Sequence, residues 1–233
     1  MNCRLITSTA AIALALLSPI ARADLVLSGK TTGSFESIPI VPSTATVTIT
    51  NNAVTNTALF ETGDPYPPST LPTSILFQGE DFADVTSGMP IDVGLFTIHN
   101  GIDYLGSDAD DAVFDLGLDL SSPSVDSFLL TKFTFDIVNT PNAPGLQPDQ
   151  FGVTFNQPSP IVIDDYDVQF HVVFSPPVIT VPEGGTTTRG DVYVTFTPVP
   201  EPSTYALWGA MLVGGVILYR RLGREPKGAT GAA

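Results

Sequence analysis

Between Asp24 and Val199 apolar residues recur at every second position, and no segment of helix length carries a 3.6-residue period. Ala112, Phe114, Leu116, Leu118 and Leu120 share one face of an extended stretch, with Asp115, Gly117 and Asp119 on the other. Leu129, Thr131, Phe133, Phe135 and Ile137 repeat the pattern opposite Lys132, Thr134 and Asp136. Tyr166, Val168, Phe170, Val172 and Phe174 do so opposite Asp167, Gln169 and His171, and Val192, Val194 and Phe196 supply a last strand. Weaker strands are expected within residues 24–27, 44–50, 74–77, 93–99 and 152–155. Gly63-Asp-Pro-Tyr-Pro-Pro68 and Pro141-Asn-Ala-Pro-Gly145 read as connections, and Asn100-Gly101 as a type I′ turn, whose two central positions need positive φ. Short strands punctuated in this way predict an all-β domain over 24–197, an antiparallel β-sandwich of jelly-roll-like form.

The charge is as uneven as the pattern is regular. The 233 residues carry 24 acidic and 9 basic side chains, a formal net charge of −15. Only Lys30, Lys132 and Arg189 lie between Asp24 and Val199, against 22 acidic residues, so that stretch has a formal charge of −19. A nucleic-acid binder needs a basic surface to neutralise phosphates, so that class is excluded. Disorder is excluded too, because 14 Phe and 6 Tyr can build a core while 14% of residues are charged.

The remaining basic residues sit near the ends. Met1-Asn2-Cys3-Arg4, an apolar run to Ile20 and Ala21-Arg22-Ala23 have the parts of a secretory signal peptide, with cleavage expected after Ala23 and passage through the Sec translocon. Cys3 is the only cysteine, so residues beyond 23 form no disulfide, thiolate metal site or cysteine nucleophile. At the other end the alternate prolines 198, 200 and 202 are expected to hold the chain extended, outside any helix or interior strand. Ser203 to Tyr219 is then 17 residues without a charge, read as a single transmembrane helix over 204–219 that Arg220 and Arg221 stop on the cytoplasmic side.

Val199-Pro200-Glu201-Pro202-Ser203, a short apolar segment and a basic cluster within 220–233 resemble the tripartite PEP-CTERM sorting signal of Gram-negative bacteria that make extracellular polysaccharide. The resemblance covers residues 198–233. It implies an inner-membrane intermediate with an extracytoplasmic body, recognition and cleavage by the membrane cysteine peptidase exosortase, and delivery to the cell surface or a biofilm matrix. The tail from Leu222 to Ala233 is longer than the few basic residues usual in that signal. Val181-Pro182-Glu183-Gly184 lacks the apolar helix that would have to follow it. Residues 71–155, through Leu95-Phe-Thr-Ile-His-Asn-Gly101, Phe133-Thr-Phe-Asp136, Asn139-Thr-Pro-Asn142 and Asp149, resemble the choice-of-anchor K domain, an exported β-rich module for which no catalytic residues are assigned.

No residue pattern marks an enzyme: there is no Gly-rich phosphate loop, dinucleotide fingerprint or nucleophile elbow, and His99 and His171 stand apart. The densest acidic group is Asp103, Asp108, Asp110, Asp111, Asp115 and Asp119. Carboxylates in one loop suit Ca²⁺, which takes six to eight oxygen ligands, so Asp108, Asp110 and Asp111 are candidate ligands, although the EF-hand Gly and Glu are missing. The expected role is a non-enzymatic surface or matrix protein associated with exopolysaccharide. The alternatives are a calcium-assisted carbohydrate-binding module, marked by a solvent-facing platform of Tyr66, Tyr104 and Phe82, or a secreted hydrolase, marked by a concave pocket with two carboxyls of divergent pKa.

Overall fold

The computed structural model describes residues 24–37, 44–68, 70–104, 106–125, 128–140, 148–155, 157–164, 166–183, 185, 187–199 and 202–222. The expected signal peptide with Ala21 and Ala23, residues Pro200 and Glu201 of the sorting motif, and the tail 223–233 lie outside them.

Among the described residues there are thirteen strands and one helix. The strands are β1 (Val26–Phe35), β2 (Val47–Asn52), β3 (Thr57–Thr62), β4 (Thr73–Gly79), β5 (Asp81–Thr86), β6 (Pro90–His99), β7 (Asp111–Ser122), β8 (Phe128–Val138), β9 (Asp149–Phe155), β10 (Ile161–Ile163), β11 (Tyr166–Ser175), β12 (Val178–Val181) and β13 (Thr187–Val199); the helix is α1 (Pro202–Leu222). They form two antiparallel sheets, one of six strands in the order β12-β9-β8-β7-β1-β5 and one of seven in the order β10-β11-β13-β6-β4-β3-β2. The antiparallel, sandwich-like all-β body is therefore as the alternation predicts. It is larger than an eight-stranded jelly roll and contains the meanders β2-β3-β4 and β7-β8-β9.

Phenylalanine fills the space between the sheets. Phe96 of β6 packs on Phe114 of β7 at a centroid distance of 4.9 Å and on Phe135 of β8 at 5.1 Å, both edge to face. Phe77 of β4 meets Phe114 at 4.8 Å, and Phe174 of β11 meets Phe135 at 6.0 Å. Offset and edge-on contacts of this kind add to the apolar area that the rings bury. β1 passes over Phe77 and Phe114 where residue 33 is glycine: a Cβ there would stand 2.2 Å from Phe114 Cζ and 2.7 Å from the Phe77 ring.

Three local expectations are corrected. Leu129 is not on the core face: the β7–β8 register slips between Leu116↔Thr131 and Gly117↔Leu129, so Leu130 bulges inward and is 3% exposed while Leu129 is 59% exposed. Asn100-Gly101 does not join two strands, since β6 ends at His99 and β7 begins at Asp111, and neither residue has positive φ. Gly101 is required for close approach instead, because a Cβ would lie 2.6 Å from Leu71 O and Thr73 N. Finally, Pro198 does join a strand, opposite Val168 of β11. It is tolerated because β6 pairs with β13 only as far as Thr195, so one side of the strand is free of ladder bonds there. Pro202 likewise opens α1, where the missing N–H has no intrahelical acceptor.

α1 exposes its apolar residues, among them Leu207, Trp208, Leu212, Val213, Val216, Ile217 and Leu218. Among the described residues no helix is long and apolar enough to cross a membrane.

Candidate functional site

The end of β6 lies beside the starts of β4 and β13 in one sheet, and the ends of β8 and β12 beside the starts of β7 and β9 in the other; the Asn100–Val181 hydrogen bond joins the two sets at one end of the body. Here four acidic residues from three segments turn inward. Asp103 and Asp108 come from the β6–β7 connection, Asp149 heads β9, and Glu183 follows β12. Asp103, Asp108 and Asp149 are 6%, 4% and 3% exposed, and Glu183 is partly buried.

Hydrogen bonds to other segments of the chain hold each of these loops. Asp103 Oδ2 accepts from the backbone N–H of Thr73 at 3.1 Å and from its hydroxyl at 2.8 Å, and Thr73 Oγ1 accepts from Gly101 N–H at 3.0 Å. Asn139 donates its side-chain amide to Asp108 Oδ2. Asp149 Oδ1 accepts from the N–H and hydroxyl of Thr140 at 2.6 and 2.8 Å. Asn100, fully buried, donates its amide to Val181 O at 3.0 Å, and its backbone carbonyl accepts from Gly185 N–H at 3.1 Å. Gly63 adopts φ +91° and lets the two nearest carboxyls converge, since Asp108 Oδ1 and Asp103 Oδ2 lie 2.5 and 2.6 Å from where its Cβ would stand.

Crowding of like charges in a dry site makes ionisation costly. Burial, followed by the neighbouring Asp103 carboxyl, pushes Asp108 up to about 7. Burial also raises Asp149, against the two Thr140 hydrogen bonds that lower it, and it raises Glu183, helped by the charge of Asp149. Asn100 Oδ1, Asp108 Oδ1 and both carboxyl oxygens of Glu183 are shielded from solvent without a hydrogen-bond donor. As they stand, no three His, Cys, Asp or Glu side chains among the described residues close into a metal-binding group.

The structure separates the three residues expected to share a cation. Asp108 faces inward, whereas Asp110 and Asp111 are exposed; the backbone carbonyl of Asp110 accepts from Ile137 N–H at 2.7 Å, and Asp111 stands opposite Asp136 in the β7–β8 register. Asp149, Asn100 and Glu183 take the inward positions instead. No single spacing announces them, because they come from distant loops; the run Asn139-Thr-Pro-Asn142 ahead of Asp149 was the nearest signal.

Beside the acidic cluster two aromatic rings reach solvent. An isolated bridge pairs Pro65 with Asp103, reinforced by Tyr66 N–H to Ile102 O at 2.6 Å and Tyr104 N–H to Asp64 O at 2.9 Å. Successive residues alternate across this bridge, so Asp103 points inward and Tyr104 outward. Tyr66 and Tyr104 are 54% and 52% exposed, whereas Phe82 is buried in the core and takes no part.

A cavity of about 430 Å³ beside β1 and β2 has Phe35, Val47, Ile49 and Phe60 in its walls with Glu36 and Asp111. The hydrogen bond from Lys132 holds Glu36 below the usual carboxylate range, while burial and the charges of Asp136 and Asp110 raise Asp111. Glu36 pairs with Lys132 Nζ at 2.5 Å.

Of the residues expected to form a sorting motif, Val199 ends β13 and Pro202 and Ser203 open α1; Arg220 is exposed in its last turn, where Arg221 also falls. In comparisons with known proteins, no family model and no curated protein matches the chain.

Proposed function

We propose that this chain is an exported, non-enzymatic surface or extracellular-matrix protein of a Gram-negative bacterium, sorted through its C-terminal segment. On this reading the Sec translocon exports it, residues 1–23 are removed, the body 24–197 stays outside the inner membrane, and exosortase cuts at Val199–Ser203. α1 serves as a short anchor before that cut. Its uncharged run from Ser203 to Tyr219 is a few Å shorter than the bilayer core, a mismatch that local thinning and snorkelling of a terminal arginine such as Arg220 accommodate.

The observation that carries the proposal is the bare apolar surface of α1, beginning three residues after the last strand of a body that covers its own core. A continuous apolar helix surface requires a lipid or protein cover. The charge of the body, −19 over Asp24–Val199, keeps released copies soluble and mutually repelling, which suits a component of an exopolysaccharide matrix. Mass spectrometry of the protein isolated from its own cells tests the route. A C-terminus near Glu201 supports it, and a mature chain that still contains residues 202–233 overturns it.

A second function, carbohydrate binding by the body, is favoured by the exposed Tyr66–Tyr104 pair. Aromatic faces on two loops joined by the Pro65–Asp103 bridge suit the apolar faces of sugar rings, as aromatic contacts suit other ligands with one apolar and one polar side. Retention of the protein on an exopolysaccharide column is the direct test.

A further inference from the structure

We propose that Asp103, Asp108, Asp149 and Glu183, with the side-chain carbonyl of Asn100, bind one Ca²⁺ ion that ties the β6–β7 connection to the start of β9 and to the turn after β12. This inference does not depend on export or sorting. It starts from buried acceptors that nothing satisfies. Asn100 is 0% exposed and its Oδ1 receives no donor, although its amide is anchored on Val181 O. Both oxygens of Glu183 and one of Asp108 are in the same condition. Buried polar groups are nearly always partnered, so four such atoms at one end of one domain point to a ligand that carries positive charge.

The two lysines that pair with acids are elsewhere, Lys30 on Asp119 at 3.6 Å and Lys132 on Glu36 and Asp115. The donor set decides the chemistry. It contains carboxylate and amide oxygens only, the set of a hard cation, without the imidazole or thiolate that zinc or copper would favour. It comes from three loops with irregular spacing, which suits the adaptable shell of Ca²⁺ better than the strict octahedron of Mg²⁺. The carboxyls do not yet close to ligand distance. Ion binding therefore draws Asp149 and Glu183 toward the Asp103–Asp108 pair, and its effect is felt as stabilisation of loops that otherwise bring like charges together. The high proton affinity of Asp108 has the same origin.

The test uses the full chain in detergent, stripped with a chelator and then titrated with Ca²⁺, Mg²⁺ or Tb³⁺. Calorimetry is expected to show one saturable Ca²⁺ site, and saturating Ca²⁺ to raise Tm by several degrees through preferential binding to the native state. Tb³⁺ bound beside Asp103 should emit on tyrosine excitation through Tyr104, and Ca²⁺ should displace it. Glu183→Gln is nearly isosteric and leaves an amide oxygen facing the Asn100 side chain, so it should keep the wild-type circular dichroism while weakening Ca²⁺ by about tenfold or more, near 1.4 kcal/mol. Asp110→Asn, on the exposed side, should bind as the wild type does. Absence of saturable Ca²⁺ heat together with an unchanged Tm overturns the site. So does unweakened binding by Glu183→Gln, or an equal shift with Mg²⁺ at the same concentration. If Glu183→Gln does not fold, displacement of Tb³⁺ from the wild type decides.

Discussion

The rings of Tyr66 and Tyr104 meet with centroids 4.9 Å apart and planes inclined by 54°, while each keeps about half of its surface in water. Neither ring contributes to the core. Tyr66→Ala and Tyr104→Ala should therefore shift stability by no more than about 1 kcal/mol, in the range of exposed aromatic contacts. If the pair binds polysaccharide, each substitution should weaken retention on an affinity gel several-fold. Retention equal to the wild type in the double variant would remove the carbohydrate reading.

Gly33 lies under the phenylalanine cluster, and its substitution tests whether the inter-sheet packing is as tight as described. Gly33→Ala places a methyl 2.2 Å from one ring and 2.7 Å from another, so it should cost about 3 kcal/mol and lower Tm by roughly 6–12 °C. Gly152→Ala is the matched control: its nearest neighbour would be 3.7 Å away, an ordinary contact, and thermal unfolding of the two variants should differ accordingly.

Lys132 lies between two carboxylates, 2.5 Å from Glu36 and 3.6 Å from Asp115, its cross-strand partner. Its hydrogen bond lowers Glu36, so this pair stabilises the fold above the ordinary value of 4.5 and loses that effect as pH falls through the lower folded-state pKa. Lys132 itself is raised, so its share is present below 10.5 and disappears only in more alkaline solution. Asp115 is shifted up by burial and by Glu36, so it costs stability as pH rises from 3.8 through its raised folded-state pKa. Lys132→Met should lower Tm at pH 7, where the two carboxylates then face each other uncompensated. The difference from wild type should shrink by pH 3, which melting curves at the two pH values measure.

The apolar surface of α1 should govern membrane association. Val213→Lys with Ile217→Lys puts two charges on it at a cost of about 2.5–3.5 kcal/mol each in a bilayer centre. Fractionation of cells should then move the precursor from the membrane to the soluble fraction while the body keeps its strand content. Unchanged membrane association would show that α1 is not the anchor.

The strands with the cleanest alternation were legible because period-2 burial is a local property: Ala112 to Leu120, Val168 to Phe174 and Val192 to Phe196 are buried as the pattern requires. β3, β5, β10 and β12 were not expected. They are short, and β5, β10 and β12 are edge strands, where only one neighbour and a few buried side chains define them. The bulge at Leu130 escaped notice because Leu129 fits the alternation equally well, and only pairing with β7 selects between them. The acidic cluster was the least legible. Asp108 stands beside Asp110 and Asp111 in the sequence, yet those two are exposed, while Asp149 and Glu183 are brought in by the β9–β12 pairing. Glu183 in particular sits in a Val-Pro-Glu-Gly run that is notable in the sequence only for lacking a following apolar helix.

Val199 is the last residue of β13 and pairs with Asp167, and α1 begins at Pro202. Only two residues therefore separate a strand clamped in the sheet from a continuous helix. An enzyme cutting upstream would first have to peel β13 from β11, and one cutting downstream would have to unwind the helix. If the proposed processing takes place, the folded body would act as a gauge that favours cleavage between Val199 and Pro202, and a domain released there would keep every strand of its sheets.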